Sequence, residues 1–541
     1  MTKDLFPLGI VDFRNKIHLF LMRLKKTDNI FFRFFFFFLA RTNEADERGI
    51  LSIMKRIIIR AGMTPFEQFD APYLMKHNSI GGNVGNLIYQ YSIFRTLMTE
   101  GTTITPDYYY YDEERADEIN ANFDLYVIPL ADAFRKEFVP TLRKYTRLIK
   151  KLKIPVVVIG VGLRAPFEPD LDGGFPFDED VKAFVSAVLE RSSMLGLRGE
   201  ITSKYLTRLG FREGIDHRVI GCPSMYAFGR DLHIRETNIT PESMITVNSS
   251  RLAPQNVLDF ITRGMEEYPN HYFIPQWMKE LKLTYTGTHP IADLSVTNYP
   301  VKMSDPAYMN DRVRFFLNAQ TWFDFIGQAD LSFGARLHGN ITATLAGTPS
   351  ILIPKDARMR ELTDYHQLTH IWANDIKADT QLSDIVANAD FQSPARVQAR
   401  NFDNFVDFLN VNDLEHIYQE TNYPENVPFD RQMAQTELLP PVQPISGVSL
   451  EEAVARFERF FPEQEKKIAD AQKQTKAQLA EKDKKIKALQ KQTGTAQKDQ
   501  EIAALKAQLA AQTKKMKHQQ GTLNRKAVRA ALKTADLFAK K

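Results

Sequence analysis

The residues of this chain best suited to do chemistry lie in one short tract. It runs Ser332-Phe333-Gly334-Ala335-Arg336-Leu337-His338-Gly339-Asn340-Ile341-Thr342-Ala343 and is followed by Ala346-Gly347-Thr348-Pro349. Arg336 and His338 stand two apart, where an apolar run ends and a helix of small residues begins. A guanidinium there can grip an anion in bidentate fashion beside the first amides of the helix. An imidazole in the same place can give or take a proton. Gly339 and the other glycines let backbone approach a ligand closely. The alternative is a packed turn in which Arg336 caps a carboxylate and His338 is a satisfied core residue. The tract alone leaves both readings open.

The elements around it follow a pattern of short β-branched runs alternating with longer amphipathic stretches, which predicts parallel strands with helical crossovers. Strands are expected at 57–60, 125–128, 154–159, 194–198 and 218–220, with helices at 83–96, 138–152, 178–191 and 201–209 between them. After a connection at 229–241 the pattern restarts, with strands at 243–248, 272–276, 330–334 and 350–354. The expected architecture is α/β, two Rossmann-like domains facing a cleft, over residues 54–235 and 240–445. Ligands of such halves lie between the carboxyl ends of their strands.

Context narrows the reading of the tract. Arg336-Leu337-His338-Gly339, the Gly347-Thr348-Pro349 turn and the strand into Pro354 closely resemble the motif of the polysaccharide pyruvyltransferase family. The continuation Lys355-Asp356-Ala357-Arg358-Met359-Arg360-Glu361-Leu362 resembles that family's Asp-x-Arg-x-x-Glu-Leu element. Upstream, Leu195-Gly196-Leu197-Arg198-Gly199-Glu200 with Ser203, Leu206 and Gly210 resembles another of its segments, and Gly81-Gly82-Asn83-Val84-Gly85-Asn86 its first glycine turn. The resemblance covers about residues 55–375 with the motifs in order. It departs at Pro129-Leu130-Ala131-Asp132 and at Cys222-Pro223-Ser224.

The resemblance implies a GT-B-like fold and a transferase that takes the pyruvyl group from phosphoenolpyruvate and closes a ketal across two hydroxyls of a sugar. On that reading Arg198 and Arg336 clamp the donor's two anionic groups. Gly339, Asn83 and Gly85 line the donor, and His338 moves the proton, with Asp124 as the carboxylate that could serve a hydroxyl instead. The partner is a glycan or lipid-linked sugar acceptor, and the scheme asks for no cofactor and no metal. His366 and His370 are four apart without the glutamate of a His-Glu-x-x-His site. Tyr108 to Tyr111 form an aromatic loop that either stacks on sugar or packs. Two other readings remain, a nucleotide-sugar glycosyltransferase of the same fold and a catalytically weak scaffold.

Composition bounds the rest. A chain of 541 residues with 43% hydrophobic content exceeds one core. A single cysteine, Cys222, excludes an intrachain disulfide framework and a Cys-rich metal site, and fits a cytoplasmic setting. The net charge of +4 hides a basic tail, for residues 463–541 carry 20 Lys and Arg against 8 Asp and Glu. That tail predicts a solvated helix face or peripheral attraction to an anionic membrane surface, with no aromatic interleaving to suggest nucleic acid. Residues 450–541 also keep an approximate heptad, through Ile468, Leu479, Ile486, Leu489, Ile502, Leu505, Leu509 and Met516, with a break around Gly494. This predicts a coiled coil, with a homo-oligomer as one outcome. At the other end, Ile30 to Ala40 is apolar but too short to span a bilayer. Residues 1–53 are expected to be an extension, with Met54 as the candidate start.

Overall fold

The computed structural model describes residues 54–288, 291, 297–490, 503–508 and 510–511. The extension expected at 1–53 and the break expected near Gly494 lie outside them. Strand β1 (Lys55–Ile59) is the centre of a parallel sheet, with β2 (Thr102–Pro106) on one side and β3 (Leu125–Pro129) then β4 (Val156–Ile159) on the other. The pair β5 (Leu195–Leu197) and β6 (His217–Val219) continues it through a parallel bridge between Val161 and Leu197. A second parallel sheet has the order β10-β9-β7-β8, from β7 (Ile245–Asn248), β8 (His271–Phe273), β9 (Leu331–Gly334) and β10 (Ser350–Leu352).

Alternation along the strands explains the layers. Ile57 and Ile59 of β1 and Val157 and Ile159 of β4 face a core that lies between the two sheets, whereas Ile58, Val156 and Val158 face an outer core. Leu331 and Phe333 of β9 face a third core on the far side of the second sheet. Strands covered on both faces need apolar residues on both, and the runs KRIII and VVVI supply them. The helix Gly85–Leu97 runs through the central core. It buries Leu87, Ile88, Tyr91, Ile93 and Phe94 around its circumference, so it lacks the one-sided stripe of a surface helix.

After β10 the chain does not stay with the second sheet. The helix Ala357–His366 and the helix Ser393–Val411 return to the first: Phe405 stacks on Tyr226 with centroids 4.7 Å apart, and Asn404 Nδ2 donates to Val219 O at 2.7 Å. Met194 N donates to Asn412 Oδ1 at 3.1 Å. The described residues from Lys55 onward cluster as one compact unit.

The long helix Leu450–Gln490 begins on the body. Phe460 is 2% exposed, Arg456 Nη1 donates to Gln443 O at 2.9 Å, and Arg459 Nε donates to Tyr285 OH at 3.2 Å. The part expected to act as a tail therefore starts near Pro462 rather than at 450. Farther along, Lys482 Nζ donates to Gln508 Oε1 at 3.2 Å, which lays residues 503–508 beside the long helix within one chain.

Candidate active site

In an open parallel sheet a crevice forms where strand order reverses. In the second sheet that point lies between β7 and β9, and Arg336 and His338 follow β9 directly. The strand ends in Gly334, whose φ of +143° is closed to other residues and whose Cβ would fall 1.7 Å from Asn248 O. Asn248, at the end of β7, fixes the next step, because its Oδ1 accepts from Arg336 N at 2.8 Å. Arg336 caps the helix Leu337–Leu345, and its guanidinium lies over the Trp277 ring, 4.6 Å from the centroid.

The first sheet brings its own carboxyl ends to the same place. Gly82, Asn83 and Val84 are stitched to the segment after β8: Val84 N donates to Gln276 O at 2.9 Å and Met278 N to Gly82 O at 3.2 Å. Asn83 Oδ1 accepts from Gly85 N at 2.9 Å and so opens the helix Gly85–Leu97. A Cβ on Gly85 would lie 2.6 Å from His338 Nδ1, so only glycine lets these helices meet over the imidazole. Arg198, at the end of β5, is fully buried; its Nε donates to Gly160 O at 2.7 Å and its guanidinium lies over the Tyr89 ring.

What these side chains lack is as informative as what they have. Arg198 Nη1 and Nη2, Arg336 Nε and Nη2, and His338 Nε2 are all buried without a hydrogen-bond partner. Buried charged donors are ordinarily paired, so several unpaired ones together mark a place where a ligand supplies the acceptors. Burial holds the His338 imidazole well below its usual range, reinforced by the guanidiniums of Arg198, Arg358 and Arg336 and opposed by Asp132. That environment favours the neutral imidazole.

Four further residues complete the cluster. Arg358 lies with Nη1 3.5 Å from Asp132 Oδ2 and Nη2 3.6 Å from Asp356 Oδ2. Asp132 also pairs with Arg135 at 2.9 Å. Burial works to raise the Asp132 carboxyl, but the guanidiniums of Arg358, Arg135, Arg164 and Arg198 bring it below its usual value. Lys355 follows β10, and Glu361 reaches the first half of the chain, where Thr202 N donates to its Oε2 at 2.9 Å. The signal for Arg358 and Glu361 was already present in the Asp-x-Arg-x-x-Glu-Leu element, which Lys355 directly precedes. Asp132 sits where the chain departs from the resembling family, which is why it was passed over.

Of the expected site residues, the structure brings together Arg198, Arg336, His338, Asn83 and Gly85. Gly339 is one position farther along, packed against Asn248 and Gln276. Asp124 is a correction. It precedes β3 and therefore lies at the amino end of the sheet, where it accepts from Arg56 N and Nε at 2.8 and 3.0 Å and from Nη2 at 2.8 Å. The carboxylate near the site is Asp132, at the other end of the same strand. Asp124→Asn should leave catalysis unchanged and cost about 1 kcal/mol or less in urea unfolding, since the pair is more than a third exposed. A large drop in turnover would return Asp124 to the site.

Burial pushes the Glu361 carboxyl up to about 7, against the Thr202 hydrogen bonds and the guanidiniums of Arg198 and Arg358. Because its folded value lies above its unfolded one, this group favours folding at low pH and loses that contribution as pH rises through about 7. Wild type should thus lose up to about 3 kcal/mol relative to Glu361→Gln between pH 5 and 8. Paired denaturant titrations at the two pH values measure it, and a pH-independent gap would contradict it.

The histidines four apart separate in space. His366 Nε2 accepts from Cys222 N at 2.8 Å, while His370 Nδ1 lies 2.8 Å from Leu368 O. Among the described residues, no three His, Cys, Asp or Glu side chains form a group that could hold a metal ion. In the aromatic loop Tyr111 stacks on Tyr145 at 4.5 Å, Tyr109 OH accepts from Gln90 Nε2 at 3.3 Å, and Tyr110 is exposed. Among the described residues, no helix is long and apolar enough to cross a membrane.

Residues 90–356 match the family model for polysaccharide pyruvyl transferase. This region belongs to that family. It contains Arg198, Arg336, His338 and Lys355, so the family match and the unpaired cluster coincide. No curated protein matches the chain. Among solved structures, a functionally uncharacterized protein from Klebsiella pneumoniae is similar at 13% identity and a TM-score of 0.30, covering 59% of this chain and 92% of that one. A UDP-GlcNAc 2-epimerase from Methanocaldococcus jannaschii is similar at 15% identity and 0.36, covering 66% and 99%. One from Neisseria meningitidis is similar at 10% and 0.31, covering 71% and 99%. Likeness at this level supports no conclusion about this chain.

Proposed function

We propose that the protein transfers the pyruvyl group of phosphoenolpyruvate onto two hydroxyls of a sugar in a cell-surface or exopolysaccharide precursor, forming a ketal and releasing phosphate. The observation that carries this reading is the set of unpaired buried side-chain nitrogens of Arg198, Arg336 and His338 gathered at one place. Phosphoenolpyruvate has a phosphate and a carboxylate, about three negative charges at neutral pH. The guanidiniums of Arg198, Arg358 and Arg336 act on His338 against the one carboxylate of Asp132, a positive surplus that supports a small polyanion as the ligand.

The first step needs one mobile proton. Neutral His338 takes it from the first sugar hydroxyl as that oxygen bonds to the enol carbon, and the bound anion then offsets the guanidiniums that made the imidazole a weak base. The imidazolium delivers the proton to the methylene carbon in the same step, so the electron pair of the double bond goes into the new C–H bond and the methylene becomes the methyl group. The C–O bond to phosphate breaks, the guanidiniums stabilise the departing anion, and the second hydroxyl closes the ring, its proton leaving with phosphate.

The test is phosphate release from phosphoenolpyruvate with free and lipid-linked glycan acceptors. Acceptor-dependent release supports the reading; turnover of a nucleotide sugar with no release would sink it. The basic segment 463–541 supports a peripheral contact with an anionic membrane surface and a coiled-coil role. A variant ending at Pro462 keeps the packed start of the long helix and tests both, by vesicle sedimentation and by light scattering.

A further inference from the structure

Lys355 stands at the carboxyl end of β10, on the strand next to β9, with Leu352 in register with Gly334. It is therefore beside the Arg336 end of the site. Its neighbour Asp356 is committed elsewhere: Oδ1 accepts from Met359 N at 2.9 Å as the helix cap, and Oδ2 faces Arg358. Among the described residues, Lys355 Nζ makes no hydrogen bond and no ion pair, and the residue is half-buried.

Charged groups face it from each neighbouring element. Arg336 comes from the end of β9, Arg358 from the helix Ala357–His366, and Arg164 from the segment after β4; Asp356 is the opposing charge. Burial and Arg336 first, then the other two guanidiniums, push the ammonium down to about 7. A lysine packed among other cations is ordinarily paired with a carboxylate. This one is placed among guanidiniums and left without a partner, an arrangement that an incoming anion completes.

Resting on the pyruvyl-transfer reading, we propose that Lys355 is a third donor-binding cation, which takes up a proton as the anionic donor binds and so links donor affinity to pH. Arginine could not do this, because it stays charged throughout. A lysine can be largely neutral in the empty site, sparing it one more like charge, and become charged when the donor arrives. Binding raises the lysine's affinity for its proton. Donor affinity from this source is therefore fullest below about pH 7 and falls as pH rises from there toward the value in the complex.

The experiment is calorimetric titration of the full-length protein with phosphoenolpyruvate at pH 8 in two buffers of different ionisation enthalpy. Wild type should take up protons on binding. Lys355→Met should bind about tenfold or more weakly and lose most of that uptake. Lys355→Arg should bind well and also lose it, which separates charge from proton linkage and does not depend on the methionine variant folding. His338→Asn should retain the uptake, excluding the imidazole as its source. Uptake unchanged in Lys355→Arg, or full affinity in a folded Lys355→Met, would overturn the role of Lys355 while leaving pyruvyl transfer standing. Wild type that fails to bind phosphoenolpyruvate would overturn both.

Discussion

His338→Asn is expected to lower acceptor-dependent phosphate release by about 10²–10⁴-fold at saturating donor, with donor binding within a few-fold of wild type. The magnitude follows from what the imidazole does and does not touch. Its Nε2 is buried with no partner, and Gly85 packs so close to Nδ1 that a Cβ there would lie 2.6 Å away, so the ring is closely flanked and has a nitrogen free to exchange a proton. Asparagine keeps a polar group of similar reach but cannot carry a proton between two atoms. The loss should fall on kcat rather than on KM, which distinguishes proton transfer from anion binding. Wild-type turnover in the folded variant would remove His338 from the chemistry.

Arg198→Met should do the opposite in one respect. Donor KM is expected to rise, and kcat/KM to fall by about 10²–10³-fold, because a charge-assisted contact to the donor is lost in a water-poor site. Stability should not fall with it. The guanidinium is fully buried, with Nε on Gly160 O and both terminal nitrogens orphaned, and burying such a charge costs the folded state. An apolar side chain of similar volume should leave unfolding free energy unchanged or raise it by roughly 1–4 kcal/mol. Denaturant unfolding beside steady-state kinetics reads both. A variant that loses stability in step with activity would mean that Arg198 is there to hold the fold.

Much of this was legible in the sequence because parallel strands buried on both faces must be apolar throughout. β1, β3 and β4 announced themselves in that way, and the turn after β9 carried the Arg336 and His338 pair. β2 did not, since TTITP reads as polar and ends in proline, and its identity as a strand comes from pairing along the whole length of β1. The return helix Ser393–Val411 was equally silent about its destination, because nothing local tells Phe405 and Phe408 to pack on a sheet formed some two hundred residues earlier. Asp124 was misplaced for a simpler reason. Sequence put an acidic residue next to a strand, but only the direction of that strand says which end of the sheet it occupies.

The same return of the chain has a consequence for synthesis. Strands β5 and β6 and the Tyr226 turn are made early, but the aromatic side chains of Ser393–Val411 that cover them emerge roughly 190 residues later. At roughly 5–20 residues per second, the nascent protein presents an uncovered apolar surface to its surroundings for about 10–40 s. Production of this chain should accordingly respond more to chaperone supply and to slower growth than its finished, well-filled interior would suggest.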